Sequence, residues 1–206
     1  PPTDLGFPDP FTTSPGWVAR YGPDEVSQFT GAEAIAEKWD LSRDDMEAFA
    51  VQSHERALQA QAAGRFEAEI APFNGLDRDE GPREPNWEKI RSLKTLVEGG
   101  RITAAVASQI SDASASLLIA SEQAVKDHGL KPRARIHHIS VRADDPVWML
   151  TAPIPATQYA LKKAGMTVED IDLFECNEAF ASVPMAWMKE LGIPHEKVNV
   201  QGGAIA

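Results

Sequence analysis

The sequence predicts an α/β fold, and three stretches carry that expectation. Leu173, Phe174 and Glu175 form a short apolar run ending in a carboxylate. After the polar turn of Cys176, Asn177 and Glu178, the span Phe180 to Leu191 sets Phe180, Val183, Ala186, Trp187 and Leu191 close to helical spacing, and Gly192 ends it. Ala113 to Ala120 reads as a strand buried on both faces, small residues alternating with Leu117 and Ile119, as in a central strand covered by helices. Ala134 to Val141 reads as a further strand. Pro155 then suits the first turn of a helix whose buried side is Ala156, Tyr159, Ala160 and Ala164 and which Gly165 ends.

The remaining elements follow from punctuation and periodicity. Pro1 to Asp24 holds six prolines and few periodic apolar residues, so it reads as loop, anchored by Trp17, Val18 and Tyr21. Gly31 to Trp39 is a short helix with Ala32, Ile35, Ala36 and Trp39 on one side. Ser42 with Asp45 makes a box-like cap for the clearest helix of the chain. Its buried stripe is Met46, Phe49, Ala50, Ala57 and Ala60, its outward face is Gln52, Glu55, Arg56 and Gln59, and Gly64 stops it. Asn74 to Asn86 is a charged loop, and Trp87 to Leu96 is helical, with Trp87, Ile90 and Leu93 three apart, until Gly99 and Gly100 break it. Arg101 to Ser108 carries β-branched Ile102, Thr103 and Val106 and reads as a strand or an extended entry into a turn. Ser121 caps a helix that Gly129 closes.

Composition narrows the function. With 206 residues, 43% hydrophobic and 25% charged, the chain has the make-up of a soluble globular protein. A net charge of -11 without a basic run argues against nucleic acid or an anionic membrane as partner, and no secretory or transmembrane segment is evident. One cysteine cannot form an internal disulfide, which fits a reducing compartment but does not separate a bacterial from an organellar interior; the bacterial cytoplasm is the expectation, with an organelle left open. His137 and His138 are adjacent on the expected strand and point to opposite faces, so no metal site is expected there. Pro1 in place of methionine and the stop at Ile205-Ala206 after a glycine turn lead to the expectation of an internal excerpt of a longer protein.

The polar turn before the last helix is where chemistry is expected, because backbone N–H groups are free at a helix start and side chains can project into a crevice. By residue type Asn177 is also a good N-cap. Asn177-Glu178-Ala179-Phe180-Ala181, followed by Asn199-Val200-Gln201-Gly202-Gly203-Ala204-Ile205-Ala206, resembles the thiolase family of acyl-CoA acetyltransferases. The helix-rich stretch from Leu41 to Phe73 is similar to the thiolase insertion that covers the coenzyme A tunnel. The stretch from Ile102 to Pro146 resembles the segment joining the two halves of the core, with Ala113 standing where the family usually has glycine.

The resemblance implies a duplicated βαβαβ core with a helical lid insertion, incomplete in this chain. Residues 1–100 are then lid and loop insertion of the first half, 101–131 the end of that half, and 132–206 the start of the second half. It implies a reverse Claisen cleavage of 3-oxoacyl-CoA by CoA in the complete protein. The Ser-Gln-Ile-Ser version at Ser108 to Ser111 and Thr151 to Pro155 point to long-chain or steroid-derived substrates. CoA is implied as co-substrate rather than as a bound cofactor, with acyl-CoA as the other partner and a homodimer or homotetramer as the assembly. The alternative reading is a thiolase-like protein that binds or carries acyl-CoA without cleaving it.

By the same resemblance Asn177 holds the water of an oxyanion site, and Ala107 and Ser108 line the pantetheine tunnel. Glu178, Phe180, Gly202 and Gly203 lie near the site. An asparagine amide suits this role because it donates without titrating. Glu178 either favours the helix dipole and orients its neighbours or is a plain first-turn carboxylate. The two glycines allow either ligand approach or a tight turn. Cys176 is read as a small buried filler, since no base stands near it in sequence. His54, His128 and His195 are read as solvent-facing or loop residues. The nucleophilic cysteine, the Gly-His-Pro histidine and the second cysteine of the family have no counterpart here.

Overall fold

The computed structural model describes Asp9 and residues 11–206, so the loop expected over Pro1 to Asp24 lies partly outside the described residues. Within them it is corrected by a short helix, α1 (Pro15–Tyr21), with Pro15 in its first turn and the Ser14 hydroxyl accepting from Trp17 N–H. Phe11, Trp17 and Tyr21 pack along it at ring separations of 4.7 and 4.5 Å, contacts within the segment itself.

Helix α2 (Gln28–Lys38) starts three residues earlier than the apolar spacing suggests, because Ser27 and Thr30 cap each other's backbone in a capping box. Helix α3 (Arg43–Ala62) opens on the expected box of Ser42 and Asp45 and buries Met46, Phe49, Ala50, Ala57 and Ala60. Helix α4 (Trp87–Ser92) is capped by Asn86, and α5 (Glu122–Asp127) by Ser121. Helices α6 (Pro153–Ala164) and α7 (Ser182–Leu191) both end on a left-handed glycine, Gly165 and Gly192. None of these helices is long and apolar enough to cross a membrane.

The core forms where α2, α3 and α7 meet. Ala32, Ile35, Ala36, Met46, Phe49, Ala50, Ile102, Val106, Phe180, Val183, Ala186 and Ile205 make one buried cluster, which takes α2, α3, α7 and the loops at 102–106 and 205 together. A smaller cluster of Cys176, Trp187, Ile193 and Val198 sits on the far side of α7 and is closed by α6 through Ile154. Trp187 Nε1–H donates to Thr157 Oγ1 at 2.9 Å, fixing α6 to α7.

The expected strands need correction. Among the described residues the β-structure is a set of isolated bridges: Thr95 with Thr103, Ala107 with Phe180, and Phe174 with Val198 among them. Ala113 to Ala120 has no regular structure and is unpaired and exposed, with Leu117 at 84% and Ile119 at 70% exposure, instead of buried on both faces. Ala134 to Val141 is likewise exposed; its end leans on α6, where Arg142 covers the Tyr159 ring and Ser140 Oγ–H donates to Ala156 C=O. A two-sided strand exists only through its neighbours, and among the described residues no bridge or backbone hydrogen bond pairs either segment. Of the two readings of Arg101 to Ser108, the extended entry into a turn is the one found: Thr103 is extended, and its Oγ accepts from Ala105 N–H as Ala104–Val106 winds into a 3-10 turn between two bridges.

Candidate active site

Three motif segments converge. Ala107 pairs antiparallel with Phe180, Ser108 N–H donates to Ala179 C=O at 3.0 Å, and Ala181 N–H donates to Val106 C=O at 2.8 Å. Gln109 continues the line: its N–H donates to Ala204 C=O at 3.1 Å and its amide to Ile205 C=O at 3.2 Å. Residues 106–109, 176–181 and 199–206, far apart in the chain, therefore form one patch of backbone in which Ala107 and Ser108 flank the segment carrying Asn177.

The segment before α7 is extended, and its side chains alternate. Cys176 and Glu178 are buried while Glu175 and Asn177 are exposed, the period of two that an extended chain imposes. Asn177 is not an N-cap. Helix α7 begins at Ser182, five residues later, and the residue at the cap, Ala181, makes no side-chain bond to it. The Asn177 amide makes no hydrogen bond among the described residues, so it is free to meet a ligand. Phe180 is part of the core, edge-on to Phe29 at 5.8 Å.

Glu178 is the hub beneath Asn177. At 1% exposure its carboxylate accepts Ser53 Oγ–H at 2.7 Å and Ile205 N–H at 3.1 Å on one oxygen, and Asn199 Nδ2–H at 2.8 Å on the other. With α7 starting at Ser182, Glu178 is not a first-turn carboxylate of that helix, and its bonds go to Ser53, Asn199 and Ile205. Ser53 also accepts Gly203 N–H at 3.0 Å. Gly203 and Gly202 are glycines for packing reasons. A Cβ on Gly203 would overlap the Glu178 carboxylate, and Gly202, at φ 85°, lies against Ser53 C=O and Ala57 of α3.

Asn199 was not singled out by the sequence reading. At φ 47° it is left-handed, a conformation Asn tolerates better than most residues, and it is fully buried. The backbone pairs Phe174 with the Val198 neighbourhood, Phe174 N–H to Lys197 C=O at 2.8 Å and Asn199 N–H to Phe174 C=O at 3.0 Å. The Asn199 amide then takes the next rung, accepting Cys176 N–H and donating to Cys176 C=O. Ser53 was missed too, although a hydroxyl at position 53 falls on the apolar stripe of α3, between Ala50 and Ala57, and a buried hydroxyl needs a partner.

Electrostatics sort the titratable groups. Burial, and then the charges of Glu178 and Glu175, push the Cys176 thiol up to about 12, which fits a filler and not a nucleophile. Burial and Glu178 also raise Glu175. The histidines are corrected in part: His128 is exposed, but His54 is buried in α3, its Nδ1 without a partner, and burial followed by the Arg83 charge lowers it to about 4. His195 is half-buried, stacked on Phe49 at 4.9 Å and lowered by burial and by Arg56. Arg56 does not face outward; its guanidinium donates to the carbonyls of Val198 at 2.6 Å and His195 at 3.2 Å. No group of three or more His, Cys, Asp or Glu among the described residues could hold a metal ion.

Comparisons with known proteins identify the architecture. The family model described as thiolase, N-terminal domain, matches residues 24–123, and that described as thiolase, C-terminal domain, matches residues 130–206. Steroid 3-ketoacyl-CoA thiolase FadA6 of Mycobacterium tuberculosis is 59% identical over 209 residues, which cover 98% of this chain and 51% of that protein. A 3-ketoacyl-CoA thiolase of Escherichia coli is 40% identical over 190 residues, 85% of this chain and 49% of the relative. The crystal structure of human mitochondrial 3-ketoacyl-CoA thiolase in complex with CoA superposes with a TM-score of 0.79 at 38% identity, over 86% of this chain and 46% of that one. The chain thus spans about half the length of the relatives it matches. The α/β class expected from the sequence is the class of these structures, and the chain belongs to the thiolase family.

Proposed function

We propose that these residues work within a full-length thiolase that cleaves a 3-oxoacyl-CoA with CoA, releasing acetyl-CoA or propionyl-CoA and a shortened acyl-CoA. Breaking the C2–C3 bond leaves its electron pair on C2, and that charge is delocalised onto the thioester oxygen of the leaving enolate. A neutral donor aimed at that oxygen lowers the barrier without itself exchanging a proton. Asn177 takes this part, its amide holding the water that, together with a histidine from outside these residues, binds the oxygen. Ala107 and Ser108 flank it as pantetheine contacts. CoA enters as co-substrate, and the nucleophile comes from elsewhere in the full-length protein. The observation that carries the reading is an exposed Asn177 set on a buried frame where three thiolase motif segments meet.

Steroid-derived 3-oxoacyl-CoA esters are the proposed substrates, supported by the printed name of the 59% identical relative. A homodimer or homotetramer in the bacterial cytoplasm completes the proposal. The test is thiolysis by the full-length protein of a steroid-side-chain 3-oxoacyl-CoA against acetoacetyl-CoA. CoA-dependent release of acetyl-CoA or propionyl-CoA supports the reading. Tight acyl-CoA binding with no turnover on any 3-oxoacyl-CoA overturns it in favour of a carrier.

A further inference from the structure

All three partners of the buried Glu178 carboxylate are donors: the Ser53 hydroxyl, the Asn199 amide and the Ile205 N–H. With every partner donating, the carboxylate is held in one orientation, and an amide in its place would turn an NH2 group toward a donor. Ser53 uses its hydroxyl in both roles, donating to Glu178 and accepting from Gly203 N–H. Asn199 in turn clamps both the N–H and the C=O of Cys176. The residue before Asn177 is therefore held through its backbone and the residue after it through its side chain. Asn177 itself is exposed and makes no side-chain bond among the described residues.

We infer that Ser53 and Glu178 are positioning residues for Asn177: the Ser53 hydroxyl of helix α3 holds the Glu178 carboxylate, which together with Asn199 fixes the 176–178 segment and so places an amide that has no other restraint. The inference rests on the thiolase reading for what Asn177 does. It adds that the lid helix, through one hydroxyl, is part of the frame of the oxyanion site and not only a cover. Misplacement by a fraction of an ångström to an ångström should act on turnover and leave the affinity for the acyl-CoA nearly unchanged, because the amide meets charge that develops only during the reaction.

The experiment compares Ser53→Ala, Glu178→Gln, Asn177→Ala and the two double variants with Asn177→Ala in the full-length enzyme, reading kcat, KM and melting temperature. Expected are kcat losses of roughly 10- to 100-fold for each single change at 53 or 178, with KM within about twofold. In the Asn177→Ala background the same changes should cost little further kcat, since the amide they place is gone. Losses that multiply in the double variants, or a Ser53→Ala enzyme with normal kcat, overturn the positioning role while leaving the thiolase reading intact. A wild-type protein without thiolysis overturns both. If Glu178→Gln does not fold, Ser53→Ala alone with its double variant decides.

Discussion

The side-chain amide of Asn199 stands in for a peptide group beside Cys176, accepting its N–H at 2.9 Å and donating to its C=O at 2.8 Å. The chain turns away at Asn199 in a left-handed conformation, yet the pairing begun between Phe174 and Val198 continues for one more rung through the side chain. This lets the 174–178 segment run straight up to Glu178 while the other strand bends into the Gly202-Gly203 turn. The geometry of the candidate site depends on that divergence.

Asn177 is separable from helix stability. Because α7 starts at Ser182, Asn177→Ala should change the melting free energy by no more than about 0.5 kcal/mol, as for an exposed position. Turnover should fall roughly 10²- to 10³-fold, and Asn177→Asp should fall as far, since it sets a negative charge beside a developing one. Near-normal turnover of Asn177→Asp on a good 3-oxoacyl-CoA would remove Asn177 from the oxyanion site.

Cys176 should be chemically silent. With the thiol pushed up to about 12 by burial and by the carboxylates of Glu178 and Glu175, the folded protein carries far less thiolate at this position than an exposed cysteine would. Mass spectrometry after iodoacetamide at pH 8 should find Cys176 unmodified until denaturant is added. Rapid labelling of the native protein would contradict the buried geometry.

His54 should make stability depend on acid. Its folded pKa lies near 4 and its ordinary value is 6.5, so between these the unfolded chain binds the proton and the folded chain does not. Stability therefore rises with pH across that window and is lost as pH falls from 6.5 toward 4. In the full-length protein, His54→Gln should have a shallower fall in denaturation midpoint over that range than wild type. Parallel curves would show that His54 does not titrate as its burial implies.

Gly203→Ala and Gly202→Ala should both destabilise, for different reasons. At Gly203 the new methyl meets the Glu178 carboxylate, an overpacking cost of about 1–3 kcal/mol. At Gly202 a left-handed backbone adds strain of about 1–3 kcal/mol to the contact with α3. Thermal melts measure both. If Glu178 is first changed to Ala, the penalty of Gly203→Ala should shrink, whereas that of Gly202→Ala should not.

The 206 residues by themselves should not catalyse thiolysis, and they should aggregate or bind hydrophobic dye. Leu117, Leu118, Ile119, Ile136, Ile139 and Val141 are all more than half exposed on unpaired segments. Incubation with acetoacetyl-CoA and CoA, alongside a dye-binding assay, checks this. Turnover above buffer, or a dye-silent monomer with a sharp cooperative melt, would go against it.

What could be read from the residues follows the range of the forces involved. Caps such as Ser42 with Asp45, and glycine stops such as Gly165 and Gly192, act within a few residues and were readable directly. Helix α1 was hidden because proline density suggests loop, although Pro15 stands at the one helical position that tolerates it. The apolar stretch at 113–120 carries a strand pattern, but pairing depends on neighbours far away in sequence, and its own residues cannot say whether any are beside it. At the candidate site, the motifs named Asn177, Glu178 and the two glycines, but not their relation. Ser53 lies 125 positions from Glu178, and only its place on an apolar stripe hinted that it needed a buried partner. His54 looked like a solvent-facing residue because a lone histidine on a helix has no local signature of burial.

Helix α3 is tied at three places along a length of roughly 30 Å. Arg43 holds the carbonyls of Arg91 and Leu93 behind α4, Ser53 joins Glu178 and Gly203, and Arg56 holds the carbonyls of His195 and Val198. Helix α3 is therefore not an interchangeable part. Anyone transplanting it between thiolases would have to move residues 43–62 together with 195–205, because a foreign helix brings its own spacing of hydroxyl and guanidinium groups to carbonyls that are fixed outside the helix.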